Sequence, residues 1–289
     1  PSHRLFEPEI FKNDEKINEV VNLISKAKKP IFYIGGGCIN SGPIAAELVS
    51  QFVETTGAPA TMTLMGLGVL GSSHSNSLGM LGMHGMYEAN MAMHECDVLI
   101  NIGARFDDRV TGRLDAFSPN SKKIHIDIDE SNINKTIKVD VPVVGDVTSI
   151  LKRVVKVWKD NNLKTNKYDL KLWWDKINNW QKIDCLHFTN NKNEIKPQYA
   201  VQRLYELTKD KNTFITTEVG QHQMWAAQHY KFEKPNRWLT SGGLGTMGYG
   251  FPAAIGAQVA NPDALVIDVA GDASILMNIQ EMSTAVQYR

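Results

Sequence analysis

The sequence predicts an α/β protein made of two doubly wound parallel-sheet domains, and three observations predict it. At roughly 150 residues per domain, its 289 residues give about two domains. Short apolar runs alternate with stretches of helical periodicity, the pattern of βα units around a parallel sheet. The apolar runs at 31–34 and 264–270 lead directly into Gly35-Gly36-Gly37 and Gly271-Asp272, at the strand ends where open α/β sheets bind ligands.

Each element has its own signal. Ile17, Val20, Val21 and Ile24 stand at i, i+3, i+4 and i+7 and predict a helix. Residues 30–34, 60–63, 97–102 and 123–128 predict strands, while Pro43 opens a second helix and Gly57 closes it. After Gly145, the stripe of Val147, Ile150, Leu151, Val154, Val155 and Trp158 predicts a further helix. From 160 to 196 the sequence is polar and irregular, dotted with Trp173, Trp174 and Trp180, and reads as a linker pinned by its aromatics. A second βα series follows: a helix from Pro197, a strand at 214–217, a helix at 251–260 and a buried strand at 264–270. The expected division is therefore a first domain at 1–160, a linker at 161–196 and an incomplete second domain at 197–289.

Composition excludes several classes of function. Lys+Arg and Asp+Glu number 31 each, so no basic field exists to grip a nucleic-acid backbone. No apolar run approaches the roughly 18 residues a membrane helix needs. Cys38, Cys96 and Cys185 are odd in number and without a C-x-x-C pair, which points to a reducing interior rather than a disulfide framework or zinc site. A cytoplasmic location is expected, or an organellar one in a eukaryote. The chain opens at Pro1 without a leader and closes at Arg289 inside an apolar-periodic run at 275–286, so a fragment of a longer protein is expected.

Several motifs carry chemistry, each with a plainer reading beside it. Gly35-Gly36-Gly37 permits close backbone approach to a ligand, but Asn40 stands where a dinucleotide fingerprint needs its third glycine, and a tight turn would read the same. The stretch from Gly103 to Val110 holds Arg105, Asp107, Asp108 and Arg109. Arginine suits phosphate or carboxylate, and a solvated loop of mutual ion pairs is the alternative. The strand ending in Asp127 and Asp129 would suit a ribose or an ordinary turn. Methionines at 62, 65, 80, 83, 86, 91 and 93 fit either core packing or a flat cofactor ring. His84 lacks partners at metal-ligand spacing and reads as a loop contact. Val219-Gly220-Gln221-His222 opens a helix where a diphosphate could sit, unless it is a plain helix start. The stretch 241–250 has five glycines, more than one turn requires. Asp272 at a strand end could hold Mg²⁺ against a diphosphate or cap the next helix.

In this order the motifs resemble the acetohydroxyacid synthase (acetolactate synthase) catalytic large subunit. They are GGGC at 35–38, TLMGLG at 63–68, LGMHG at 81–85, GARFDDRVTG at 103–112, HIDID at 125–129, GQHQMWAAQ at 220–228, TSGGLGTMGYGFPAAIGA at 240–257 and GDAS at 271–274. The resemblance implies a central FAD-binding domain followed by part of a thiamine-diphosphate-binding domain. It places the pyrimidine-binding domain, its activating glutamate and the rest of the metal site outside this chain. FAD contacts would fall at Gly35, Gly36, Gly37, Thr63, Leu64, Met65, Leu81, Gly82, Met83, His84, Gly103, Arg105, Asp107, Arg109, Val110, Asp127, Ile128, Asp146 and Val147. Thiamine diphosphate would meet Val219, Gly220, Gln221, His222, Gly245, Met247, Asp272, Ala273 and Ser274, with Asp272 as the Mg²⁺ ligand. Met247 would support the bend of the cofactor, and Arg109 would take the carboxylate of the second 2-oxoacid.

The activity so implied joins the two-carbon unit of pyruvate, after loss of CO₂, to a second pyruvate or to 2-oxobutyrate in branched-chain amino-acid biosynthesis. The complete chain is expected as a homodimer or homotetramer, with a regulatory small subunit as a further partner, and the fragment is expected to be inactive. Glyoxylate carboligase and a non-catalytic nucleotide-binding module are the alternatives. Thiamine enzymes more generally carry Gly-Asp-Gly where this chain has Ala273, and a demand for positive φ there would cost alanine about 1 kcal/mol or more.

Overall fold

Asn13 accepts the Lys16 amide and starts the first helix, α1 (Asp14–Lys26), whose Ile17, Val20, Val21 and Ile24 are all buried. The computed structural model describes residues 13–288. The chain divides into two compact units, one running to Leu70 and from His74 to Cys185, the other comprising Gly71–Ser73 and the chain from Leu186 onward.

In the first unit α1 is followed by β1 (Pro30–Ile34), α2 (Gly37–Asn40), α3 (Pro43–Thr56), β2 (Ala60–Met62), β3 (Ser77–Met80), α4 (Tyr87–Glu95) and β4 (Val98–Ile102). Then come α5 (Asp108–Thr111), β5 (Lys122–Asp127), β6 (Val141–Val144), α6 (Val147–Asp160) and α7 (Lys167–Gln181). The strands form one sheet in the order β3-β2-β1-β4-β5-β6, parallel at every pairing. Both faces are covered, which is why β1 and β4 are buried along their whole length. Alternation along β1 divides the core. Phe32 meets Phe52 of α3 edge-on, and Phe52 meets Trp158 of α6. Ile31 and Tyr33 join Leu99, the Ala89 and Met93 side chains of α4, and Trp173 and Ile177 of α7.

The expected linker needs correcting, because residues 167–181 form the fifteen-residue helix α7 and the first unit extends to Cys185. Asn166 caps this helix by accepting the Tyr168 and Asp169 amides. The Trp173 indole donates to the Pro30 carbonyl at 3.1 Å and the Trp174 indole to the Gly57 carbonyl at 2.9 Å. The aromatics are thus one face of a helix, and the Asn and Lys residues between them occupy its wet side. The strand expected at 60–63 ends at Met62, since Thr63 leads into a 3₁₀ turn at Leu64–Gly66.

The second unit contains α8 (Pro197–Thr208), β7 (Thr213–Thr217), α9 (Gln221–His229), β8 (Trp238–Thr240), α10 (Gly250–Ala260), β9 (Leu265–Val269), α11 (Asp272–Leu276) and α12 (Glu281–Tyr288). Its sheet has the order β8-β7-β9, again parallel. Ser72 joins this unit, its amide donating to the Phe232 carbonyl at 3.0 Å. Among the described residues no helix is long and apolar enough to cross a membrane.

Candidate functional site

Parallel strands bring all their carboxyl ends to one edge, and that edge collects the residues singled out in the first unit. Gly35–Gly37 follow β1, Thr63–Met65 follow β2, Leu81–His84 follow β3, Gly103–Val110 follow β4, Asp127 and Ile128 close β5, and Asp146 and Val147 follow β6. The strand order reverses between β1 and β4, the switch point where such sheets leave a crevice. There the two loops pack backbone to backbone: the Gly37 amide donates to the Gly103 carbonyl at 3.0 Å, and Gly103 has a φ of +66°. The Met83 amide donates to the Arg109 carbonyl at 2.8 Å, tying loop 81–84 to loop 103–110.

The ion-pair reading of that loop is part of the observed structure. Arg105 pairs with Asp107 at 2.8 Å and Arg109 with Asp108 at 3.1 Å, all four side chains more than half exposed. Such pairs contribute about 0–1 kcal/mol, so an anionic ligand could take the arginines at little cost. Phe106, at a φ of +58°, turns its buried ring against His125 and Phe117 while its neighbours face solvent. Burial works to raise the Asp127 carboxyl, but His125 and the Asp129 amide outweigh it and hold the carboxyl below its usual range. Asp146 caps α6 by accepting the Ser149 amide and also takes the Ser41 hydroxyl. Val147 is buried, so only its backbone could meet a ligand.

The methionines separate by burial, with Met86 and Met91 half-buried between the extremes. Met62, Met80 and Met93 are core residues, whereas Met65 and Met83 are exposed at the carboxyl edge together with Ile128. Apolar side chains held in solvent beside two loosely paired arginines fit a large ligand with an aromatic part and phosphates. FAD matches that donor set.

In the second unit a cavity of roughly 550 Å³ is lined by Val219, Gly220, Gln221, His222, Met247, Asp272, Ala273 and Ser274. Eight of the nine residues singled out there therefore share one hollow. The ninth, Gly245, is not among the lining residues and stands at φ +66° in the loop before Met247. Pro197, Ala200, Val201, Trp225, Val269, Ala270 and Gly271 also line the cavity. Trp225 and Gly271 lie within the motifs already quoted, whereas the apolar residues among the others carry no motif of their own.

His222 packs between two of the lining glycines. A Cβ on Gly220 or on Gly271 would each fall 2.8 Å from its ring, so the two glycines flatten the walls around the imidazole. Its Nε2 is buried without a hydrogen-bond partner. Burial lowers its pKa against the opposing pull of the Glu218 carbonyl and of the Glu218 and Asp272 charges. The helix α9 begins at Gly220 with no side-chain cap, which leaves first-turn amides for an anion. An unpartnered imidazole Nε2, an uncapped helix start and a carboxylate in the lining fit a diphosphate with a divalent cation. Among the described residues no group of three or more His, Cys, Asp or Glu could hold a metal. A cation at Asp272 would therefore need ligands from the cofactor and from elsewhere. Ala273 lies in the right-handed helix α11 and outside the positive-φ residues, so no strain opposes alanine there.

Sequence reasoning missed Glu218. It is fully buried at the end of β7, and its carboxylate accepts the Gly248 amide at 2.6 Å and the Phe251 amide at 3.1 Å. A buried negative charge is thereby placed at the amino end of α10, where the helix dipole favours it. Nothing local in the sequence marks it, because its partners lie 30 and 33 residues away.

This fold, with a glycine-flanked cavity at the carboxyl ends of parallel strands, defines a ligand-binding type of α/β protein. Residues 17–154 match the family "Thiamine pyrophosphate enzyme, central domain" and residues 218–289 match "Thiamine pyrophosphate enzyme, C-terminal TPP binding domain". The chain belongs to the thiamine pyrophosphate enzymes. Within them it is similar to the acetolactate synthase large subunit of Buchnera aphidicola subsp. Schizaphis graminum, 48% identical over 99% of this chain and 49% of that protein. Acetolactate synthase isozyme 3 large subunit of Escherichia coli is 43% identical over 99% of this chain and 50% of its own length. Chloroplastic acetolactate synthase of Arabidopsis thaliana is 49% identical over 94% of this chain and 40% of its own length. The chain spans about half the length of the curated relatives it matches.

Proposed function

We propose that the complete protein is a thiamine-diphosphate-dependent carboligase of the acetolactate synthase kind, joining pyruvate to pyruvate or 2-oxobutyrate with loss of CO₂ in branched-chain amino-acid biosynthesis. The observation that carries this reading is the single cavity shared by Val219–His222, Met247 and Asp272–Ser274, in a chain similar to acetolactate synthase large subunits over 99% of its length. Bound there, thiamine diphosphate would supply the electron sink that decarboxylation of a 2-oxoacid needs.

The chain's own residues bind and orient. The amides at the start of α9 and the His222 imidazole would hold the diphosphate, and Asp272 would hold Mg²⁺. Met247, half-exposed in the cavity lining, would support the bound cofactor. On the first unit, the carboxyl-edge loops would hold FAD, with Arg105 for its phosphates, and Arg109 would take the acceptor carboxylate. The whole protein works as a homodimer or homotetramer with a regulatory small subunit, in the cytoplasm or, in a eukaryote, in an organelle.

Two titrations test this. Thiamine diphosphate with Mg²⁺ should quench tryptophan fluorescence saturably through Trp225, and Asp272→Ala should weaken the effect about tenfold or more. FAD should bind with loss of flavin fluorescence, more weakly in Arg105→Ala. A folded chain indifferent to both cofactors would overturn the proposal. The 289-residue chain alone should form no acetolactate from pyruvate even with all cofactors, and appreciable product would refute the need for residues outside it.

A further inference from the structure

The loop 241–250 has little intrinsic rigidity, with Gly245 at φ +66° and Gly248 at φ +86° and with Leu244 almost wholly exposed. Yet it carries Met247 to the cavity wall. Gly248, the residue after Met247, is held at both its amide and its carbonyl. Glu218 Oε2 accepts the Gly248 amide at 2.6 Å, and Asn278 Nδ2 donates to the Gly248 carbonyl at 2.5 Å. A Cβ on Gly248 would fall 2.8 Å from that Asn278 nitrogen, so only glycine admits both contacts. At the other end of the loop, Gln223 donates to the Thr240 hydroxyl at 2.7 Å.

We propose that Glu218 and Asn278 are positioning residues that set Met247, and through it the bend of the cofactor, by clamping Gly248. This rests on the reading that the cavity takes thiamine diphosphate. The alternative, that Glu218 serves stability alone, leaves its chemistry unexplained. A fully buried carboxylate is costly to desolvate and an apolar side chain of similar volume stabilises as well or better, whereas a carboxylate can fix two amides at once. Asn278 follows the segment that starts at Asp272, so the clamp also ties the Met247 loop to the residues facing the diphosphate. Neither clamp residue lines the cavity, so both act through Gly248.

The test is a double-mutant cycle in the complete enzyme, using Glu218→Gln, Asn278→Ala and Met247→Ala, with cofactor affinity and steady-state kinetics measured for each. Glu218→Gln keeps the volume but leaves one amide without an acceptor. Its kcat should fall about tenfold or more, as misplacement of a reacting group does, while the KM for pyruvate and the cofactor Kd stay within about threefold. Combined with Met247→Ala, either clamp substitution should add nothing further to the loss of kcat, because residues acting as one unit are non-additive. Multiplying effects in the double variants, or an unchanged kcat in both single clamp variants, would overturn the proposal. So would equal losses in kcat and cofactor affinity. Asn278→Ala, at a half-buried position, keeps the test open if Glu218→Gln fails to fold. Failure of the wild-type enzyme to bind thiamine diphosphate would instead remove the underlying reading, and binding is measured separately.

Discussion

Gly35 and Gly103 meet backbone to backbone at the switch point of the six-stranded sheet: a Cβ on Gly35 would lie 2.1 Å from the Gly103 carbonyl oxygen. The contact continues the sheet, since the Gly35 amide donates to the Ile102 carbonyl at 2.9 Å. Glycine at 35 is therefore demanded by the fold before any ligand arrives. Gly35→Ala should destabilise the chain by about 3 kcal/mol or more, as overpacking without room to relax does. Gly243→Ala, with nothing within 4 Å of the added Cβ, should stay within about 0.5 kcal/mol. Urea unfolding of both checks this, and wild-type stability in Gly35→Ala would show that the close packing is not real.

Helix α7 belongs to the first unit by its tryptophans. Trp173 is 2% exposed and donates to Pro30, so Trp173→Ala should cost about 3–5 kcal/mol. Tyr168 on the same helix is 70% exposed, and Tyr168→Ala should cost no more than about 0.5 kcal/mol. Equal thermal shifts for the two would return this segment to the status of a linker.

Asp268 in β9 makes stability depend on pH. Burial, followed by the nearby Glu218 charge, overcomes a hydrogen bond from Thr216 and pushes its carboxyl up to about 6. Its Oδ2 has no hydrogen-bond partner. The folded state therefore holds this proton more tightly than the unfolded chain, in which an aspartate titrates near about 4. The resulting stabilisation is full below about pH 4 and is lost as pH rises through about 6. Asp268→Asn should flatten that part of the urea-midpoint profile and stabilise the chain near neutrality. An unchanged slope in the variant would exclude Asp268 as its source.

Thiol reactivity should separate the cysteines. Burial pushes Cys38 up to about 12 and Cys96 up to about 11, while Cys185 is exposed. Thiolate is the reactive form, so an aromatic disulfide reagent should titrate Cys185 rapidly in the native chain and the other two only after unfolding. Rapid release of all three equivalents would contradict the burial of Cys38 and Cys96.

The clear periodic signals of the sequence carried over to the structure. The stripe from Val147 to Trp158 is α6, Pro43 and Gly57 bound α3, and 30–34 is β1. The short strands β3, β6 and β8 and the helix α4 were not legible. Ser77–Met80 and Trp238–Thr240 hold only four and three residues, too few to show a period, and they are strands because neighbours supply their hydrogen bonds. Helix α7 was hidden by the composition of its wet face.

For the candidate site, the sequence by itself determined which residue types were present and in what order. Glycine turns after strands, paired arginines and acids, the helix start at Gly220 and the acid at Asp272 are all local facts, fixed by neighbours a few positions apart. Only the tertiary structure decided which of them meet. It brought Gly220–His222, Met247 and Asp272 to one cavity, closed Gly35 onto Gly103, and set Glu218 against Gly248 across 30 residues. Such relations depend on strand order and on where a buried charge finds its donors. Packing decides both once the whole chain has folded.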